Sequence, residues 1–72
     1  MNLNLKDAIE ILELGASLEI DIERCSDKEV EKLVLALGES NSLVFYNCEN
    51  TNMTTLKKLA SLAQGKVTFK FK

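Results

Sequence analysis

Histidine is absent from the 72 residues. No Ser-His or Cys-His pair and no histidine–metal site can therefore form within one chain. Proline is absent as well, and no Pro-, Gly- or Ser-rich tract marks a linker, so residues 1–72 read as one small αβ domain. The three glycines, Gly15, Gly38 and Gly65, stand alone, and no phosphate-binding loop or dinucleotide fingerprint surrounds them. No apolar run approaches the ~18 residues of a membrane span, so no membrane partner is expected. Met1–Asp7 lacks a basic stretch followed by an apolar core, so no secretory signal is expected. Two cysteines without an export signal fit reduced thiols in a cytoplasmic protein. Catalysis would have to rest on carboxylates, lysines or thiols alone, and the chain is read as a non-enzyme without metal or cofactor.

What is present is an ordinary globular composition, with 46% apolar and 28% charged residues, too apolar for a disordered tail. At this length only ~60% of the unfolded surface is buried, so the core must be tight or a partner must help. The charge is unevenly placed. Residues 1–40 carry four basic against ten acidic side chains, a balance of −6, whereas residues 41–72 carry five against one, +4. The net charge of −2 argues against a phosphate-binding surface. Lys57, Lys58 and Lys66 lack the aromatic neighbours of a nucleic-acid footprint, so no nucleic-acid partner is expected.

Leu43-Val44-Phe45-Tyr46-Asn47-Cys48 is the stretch around which the rest is organised. Both alternating faces are apolar or aromatic there, which predicts a strand covered at least partly on both sides. Upstream, Asn4 can cap a helix whose stripe is Leu5, Ala8, Ile9 and Leu12, widened by Ile11 and Leu14, with Gly15 at its left-handed end. Leu18-Glu19-Ile20-Asp21-Ile22-Glu23 alternates strictly, predicting a half-buried strand with three carboxylates outward. Ser26 and Glu29 form a capping box ahead of Val30, Leu33, Val34 and Leu37, and Gly38 follows as the stop. After Cys48, either Thr51 or Asn52 can cap a helix with Met53, Leu56, Leu59, Ala60 and Ala63 as its stripe, ended by Gly65. Val67–Lys72 alternates again, aromatics inward and lysines outward.

Three helix–strand units with single-helix connections predict an α/β fold with a three-stranded parallel sheet. In the order 2-1-3 the first strand would be central and covered on both faces, burying Glu19, Asp21 and Glu23 without partners, which is costly. The order 1-2-3 centres the least polar strand, sets all helices on one face and leaves the other face open. That order is the expectation.

Ile20-Asp21-Ile22-Glu23-Arg24-Cys25 and Leu43-Val44-Phe45-Tyr46-Asn47-Cys48 share the form apolar-x-apolar-x-x-Cys, each followed by a helix with leucines at Leu33 and Leu37 or at Leu56 and Leu59. In this the chain resembles leucine-rich repeats of the ribonuclease-inhibitor-like type. It departs from the pattern at Asp27 and Asn50, where the family carries an apolar residue, and Val67–Lys72 stops before a third cysteine position. The resemblance implies a binding scaffold whose exposed sheet face contacts another macromolecule.

The candidate site follows from the open face. Val44 and Tyr46 would project from the central strand, flanked by Glu19, Asp21 and Glu23 on one side and by Thr68 and Lys70 on the other. An apolar, aromatic centre inside a polar rim is the pattern of an interface. The competing reading is that a tail, or a helix packed on the far side, covers them as ordinary core. The acids and lysines have a plain reading too, as charges that blunt edge strands against aggregation. Cys25 and Cys48, taken as equivalent strand-end positions, are read as small apolar fillers rather than a redox switch or half of a shared metal site. The expectation is a protein-interaction module with a protein partner. Its alternatives are a structural homodimer using the same face, or a small-ligand site at the strand C-terminal ends.

Overall fold

The structure, a computed structural model, describes residues 4–71. Its elements run α1 (Leu5–Glu13), β1 (Leu18–Asp21), a 3-10 turn (Ile22–Arg24), α2 (Asp27–Ala36), β2 (Ser42–Tyr46), a second 3-10 turn (Cys48–Asn50), α3 (Met53–Leu62) and β3 (Lys66–Phe69). The three strands form one parallel sheet in the order β1-β2-β3. Pairing sets Leu18 beside Leu43 and Leu43 beside Val67, so side-by-side positions recur after 25 and then 24 residues. No helix is long and apolar enough to cross a membrane among the described residues.

Each helix starts on a side-chain cap that takes an otherwise unpaired amide. Asn4 accepts from the Asp7 amide at 2.9 Å. Ser26 and Glu29 close a full capping box, at 3.2 and 2.8 Å. Between the two candidates for α3, Asn52 is the cap, accepting from the Thr54 amide at 2.8 Å. At the end of α1, Gly15 adopts φ +97°, and the Gly15 and Ala16 amides donate to Leu12 and Ile11 carbonyls, a Schellman closure.

The other two glycines do not end helices in that way. α2 and α3 leave through extended residues, Leu37 and Ala63. Gly65 is small because the loop before β3 presses on the loop before β2. A Cβ there would collide with the Gly38 carbonyl and come within 2.8 Å of the Asn41 carbonyl.

The core is one layer between helices and sheet. Leu43 and Phe45 point inward from β2 with no exposure, and meet Ala8 and Leu12 of α1, Val30, Leu33 and Val34 of α2, and Leu56 and Leu59 of α3. Phe45 stacks on Phe69 of β3, ring centroids 6.2 Å apart and planes 13° apart, an offset arrangement that adds to their burial. The helical stripes are narrower than the sequence suggests: Leu14 is 86% exposed, and Met53 and Ala60 lie outside the buried set, while Leu62 packs against the core instead.

Among the described residues one polar side chain sits inside this layer. Asn41 is buried just ahead of β2. Its amide nitrogen donates to the Leu12 and Ala16 carbonyls at 2.9 and 2.8 Å, and its oxygen accepts from the Gly38 amide at 2.8 Å. It thereby ties the ends of α1 and α2 to the start of the central strand.

Each strand is shorter than its alternation predicts. β1 stops at Asp21, whose carboxylate accepts from the Glu23 amide at 3.0 Å and opens the 3-10 turn. Ile22 is buried from that turn, and Glu23 is displaced from the strand altogether. β2 stops because Asn47 turns left-handed, φ 62°, a conformation asparagine tolerates. Cys48 then opens the second turn, in the place that Ile22 holds in the first, and Cys25 lies three residues later in its turn. The two cysteines are therefore not equivalent. Their hexapeptides are also offset, because Ile20 pairs with Phe45 rather than with Leu43. Beyond β3, Phe71 is 47% exposed rather than inward. Lys72 lies outside the described residues, as do Met1–Leu3.

Candidate functional site: the open face of the sheet

The face of the sheet away from the helices carries three rows set by the strand register. Glu19, Val44 and Thr68 lie side by side, because Val44 pairs with Glu19 and with Thr68. In the next row Asp21 pairs with Tyr46, and Lys70 follows because its amide donates to the Phe45 carbonyl at 2.8 Å while its carbonyl accepts from the Cys48 amide at 3.0 Å. In the row at the other end, Ser42 pairs with Lys66, and the Ser42 amide and hydroxyl donate to the Ser17 hydroxyl at 3.0 and 3.2 Å.

Val44 and Tyr46 are half-buried, while their strand neighbours Leu43 and Phe45 are fully buried. The central strand is thus covered completely on one side and only partly on the other. Among the described residues no helix lies over this second side, since the buried residues of all three helices belong to one cluster with the inward residues of β2.

The rim differs between its two edges. Glu19, Thr68 and Lys70 are exposed, as expected for a rim. Asp21 is half-buried and already engaged, capping the 3-10 turn and lying 3.8 Å from the Arg24 guanidinium. Glu23 leaves the face for the end of the sheet, where it accepts from the Asn50 amide nitrogen at 3.3 Å. Lys66, Ser17 and Ser42 join the face, a place the sequence reading does not give them. The signal for Lys66 was its place one residue before the alternating stretch, in phase with Thr68 and Lys70.

The strand C-terminal ends are filled rather than hollow. Cys48 is fully buried there, its thiol 3.5 Å from the Phe45 carbonyl, and the Glu23–Asn50 bond bridges the two turns. The Cys25 thiol lies 3.7 Å from the Asp21 carbonyl. Both thiols are free. Burial pushes both up from the usual thiol range, reinforced at Cys25 by the carboxylates of Glu29 and Asp21. At Cys48 the hydrogen bond with the Lys70 backbone pulls the other way, and Glu49 and Asp21 push up again. Protonated, partly enclosed thiols of this kind are poor nucleophiles. Among the described residues no three cysteine, aspartate or glutamate side chains are placed to share a metal ion.

A shallow depression of about 260 Å³ lies on the outer side of α2, lined by Lys28, Glu31, Lys32 and Leu35. Three of its four lining residues carry charged ends, although the surface they present there is mostly apolar. Compared with known proteins, the chain matches no family model, no curated protein and no solved structure.

Proposed function

We propose that this protein is a small cytoplasmic interaction module, without catalytic activity, that binds a protein partner through the open face of its sheet. The observation that carries the reading is the asymmetry of β2, whose Leu43 and Phe45 are sealed while Val44 and Tyr46 remain part-exposed in the middle of a polar rim. A tyrosine suits such a centre, since it supplies a large rigid apolar surface with a polar tip. The rim charges set the rate and selectivity of encounter more than the affinity. The resemblance to leucine-rich repeats points to the same use of an exposed sheet face.

The test separates this face from the helix layer. Tyr46→Ala changes a half-buried side chain of the sheet face and Leu35→Ala an exposed one on α2, and neither belongs to the fully buried core. With the folded proteins as immobilised baits, the reading expects a bound protein to be kept by wild type and Leu35→Ala and lost by Tyr46→Ala. A partner lost by Leu35→Ala and kept by Tyr46→Ala would place binding on the helices and contradict the proposal.

A further inference from the structure

The open face has its charges arranged for a particular partner. Its β1 edge holds Glu19 and Asp21, a balance of −2. Its β3 edge holds Lys66 and Lys70, a balance of +2. Between them stand Val44 and Tyr46. We infer that the partner of this face is a second copy of the same chain, docked face to face about a twofold axis that runs along the strands. The inference rests on the open-face reading and adds the identity of the occupant.

The geometry follows from symmetry. A twofold along the strands places β1 of one copy over β3 of the other and keeps each row at its own level. Asp21 then faces Lys70 of the partner copy, Tyr46 faces Tyr46, and Glu19 lies over Thr68 between the levels of Lys66 and Lys70. Every acid meets the basic edge, and the apolar centres meet each other. A twofold running across the strands would set β1 on β1 and β3 on β3, bringing acids against acids and lysines against lysines, which is strongly disfavoured. The self-complementary pairing is isologous, so it closes at two copies. The sheet itself offers roughly 15 Å by 15 Å at strand spacings of ~4.8 Å and ~3.3 Å per residue. That is well under the ~800 Å² per partner of a stable complex, so the dimer is weak and exchanges rapidly.

The experiment uses the full chain and two charge-edited versions in sedimentation velocity at equal total concentration. Glu19→Lys takes the β1 edge from −2 to 0 and removes its attraction for the lysine edge, and the double variant Lys66→Glu, Lys70→Glu makes both edges acidic. These side chains are exposed, and circular dichroism checks that each variant keeps the fold. The wild type is expected to reach a dimer and no further, with association weakened by added salt. Each variant alone is expected to self-associate about tenfold more weakly or worse, and the equimolar mixture to regain association. A wild type that stays monomeric up to ~1 mM, the weak end for such small interfaces, overturns the second-copy inference and leaves the face for another protein. Charge variants that associate alone as well as wild type overturn the twofold along the strands, as do species larger than a dimer. Dimerisation that Tyr46→Ala leaves intact places the contact elsewhere and overturns this inference, while the open-face reading falls only to a protein partner lost by Leu35→Ala and kept by Tyr46→Ala.

Discussion

Replacing Asn41 by alanine removes three hydrogen bonds at once, and the cost can be worked bond by bond. The Leu12 carbonyl keeps a partner, the Gly15 amide at 3.0 Å. The Ala16 carbonyl belongs to an exposed residue and can turn to water. The Gly38 amide, half-buried, is left without its acceptor at 2.8 Å. An unsatisfied donor that is only half-buried sits at the low end of the usual range, ~1 kcal/mol, and each of the two lost donor bonds contributes ~1 kcal/mol net, so the total is about 3 kcal/mol. A single core of this size rarely supplies more than ~3–5 kcal/mol, so Asn41→Ala should bring the fold close to its limit. The midpoint of thermal unfolding should drop by roughly 12–24 °C, at ~4–8 °C per kcal/mol for a domain of this length. Urea unfolding followed by circular dichroism gives the same quantity isothermally, with an unchanged slope if the native and denatured states are otherwise the same. Asn41→Asp is the sharper control. Its carboxylate would face the Leu12 and Ala16 carbonyls, so the folded state would hold its pKa above the unfolded value of ~3.9. Stability relative to wild type should therefore be greatest below that value and fall as pH rises through the folded-state pKa. A loss below ~0.5 kcal/mol for Asn41→Ala, the size of an ordinary surface change, would refute the account of this residue.

Further outcomes follow from the same structure. Gly65→Ala should destabilise more than Gly15→Ala, measured by urea unfolding, because the first meets immovable backbone at Gly38 and Asn41 while the second has open space and bears only the strain of φ +97°, ~1 kcal/mol or somewhat more. Phe45→Ala should cost ~3–5 kcal/mol, since the ring is fully buried and stacked on Phe69, whereas Tyr46→Ala should cost ~1 kcal/mol or less; the two unfolding curves check both. Alkylation of Cys48 at neutral pH should be slow in the native protein and fast in urea, followed by mass spectrometry. Because folding raises both thiol pKa values, their contribution should be constant below the unfolded thiol pKa of ~8.5, and stability should decline as pH rises from there towards the folded values. Cys25→Ala, Cys48→Ala should flatten that decline.

Much of the fold could be read from the chain because local signals agreed with the packing they had to serve. The Ser26–Glu29 box, the Leu5, Ala8 and Leu12 spacing and the alternation from Leu18 each satisfy one element and one face together. Strand order came from polarity, since only an edge strand can carry Glu19 and Asp21 outward at low cost. What could not be read were the points where a competing bond interrupts a pattern. Ile22 continues the alternation of Leu18 and Ile20, yet Asp21 uses its carboxylate to cap a turn, and Glu23 leaves the face with it. Phe71 continues the alternation of Val67 and Phe69 after its strand has ended. Asn41 sits between two serines and looks like turn chemistry, because nothing local shows that carbonyls from residues 12 and 16 arrive beside it. Gly38 and Gly65 mark helix ends in sequence, but the contact that keeps Gly65 small lies between two distant loops.

The claim on which the functional account depends is that the face around Tyr46 is where this protein meets its partner, and that a second copy meets it there. Amide chemical shifts recorded over a dilution series, from ~1 mM to ~10 µM to bracket a weak interface, test it most directly. The account predicts concentration-dependent shifts at Glu19, Asp21, Val44, Tyr46, Thr68 and Lys70, with little change along α2. Shifts centred on Lys28, Lys32 and Leu35, with the sheet face unchanged, would contradict it.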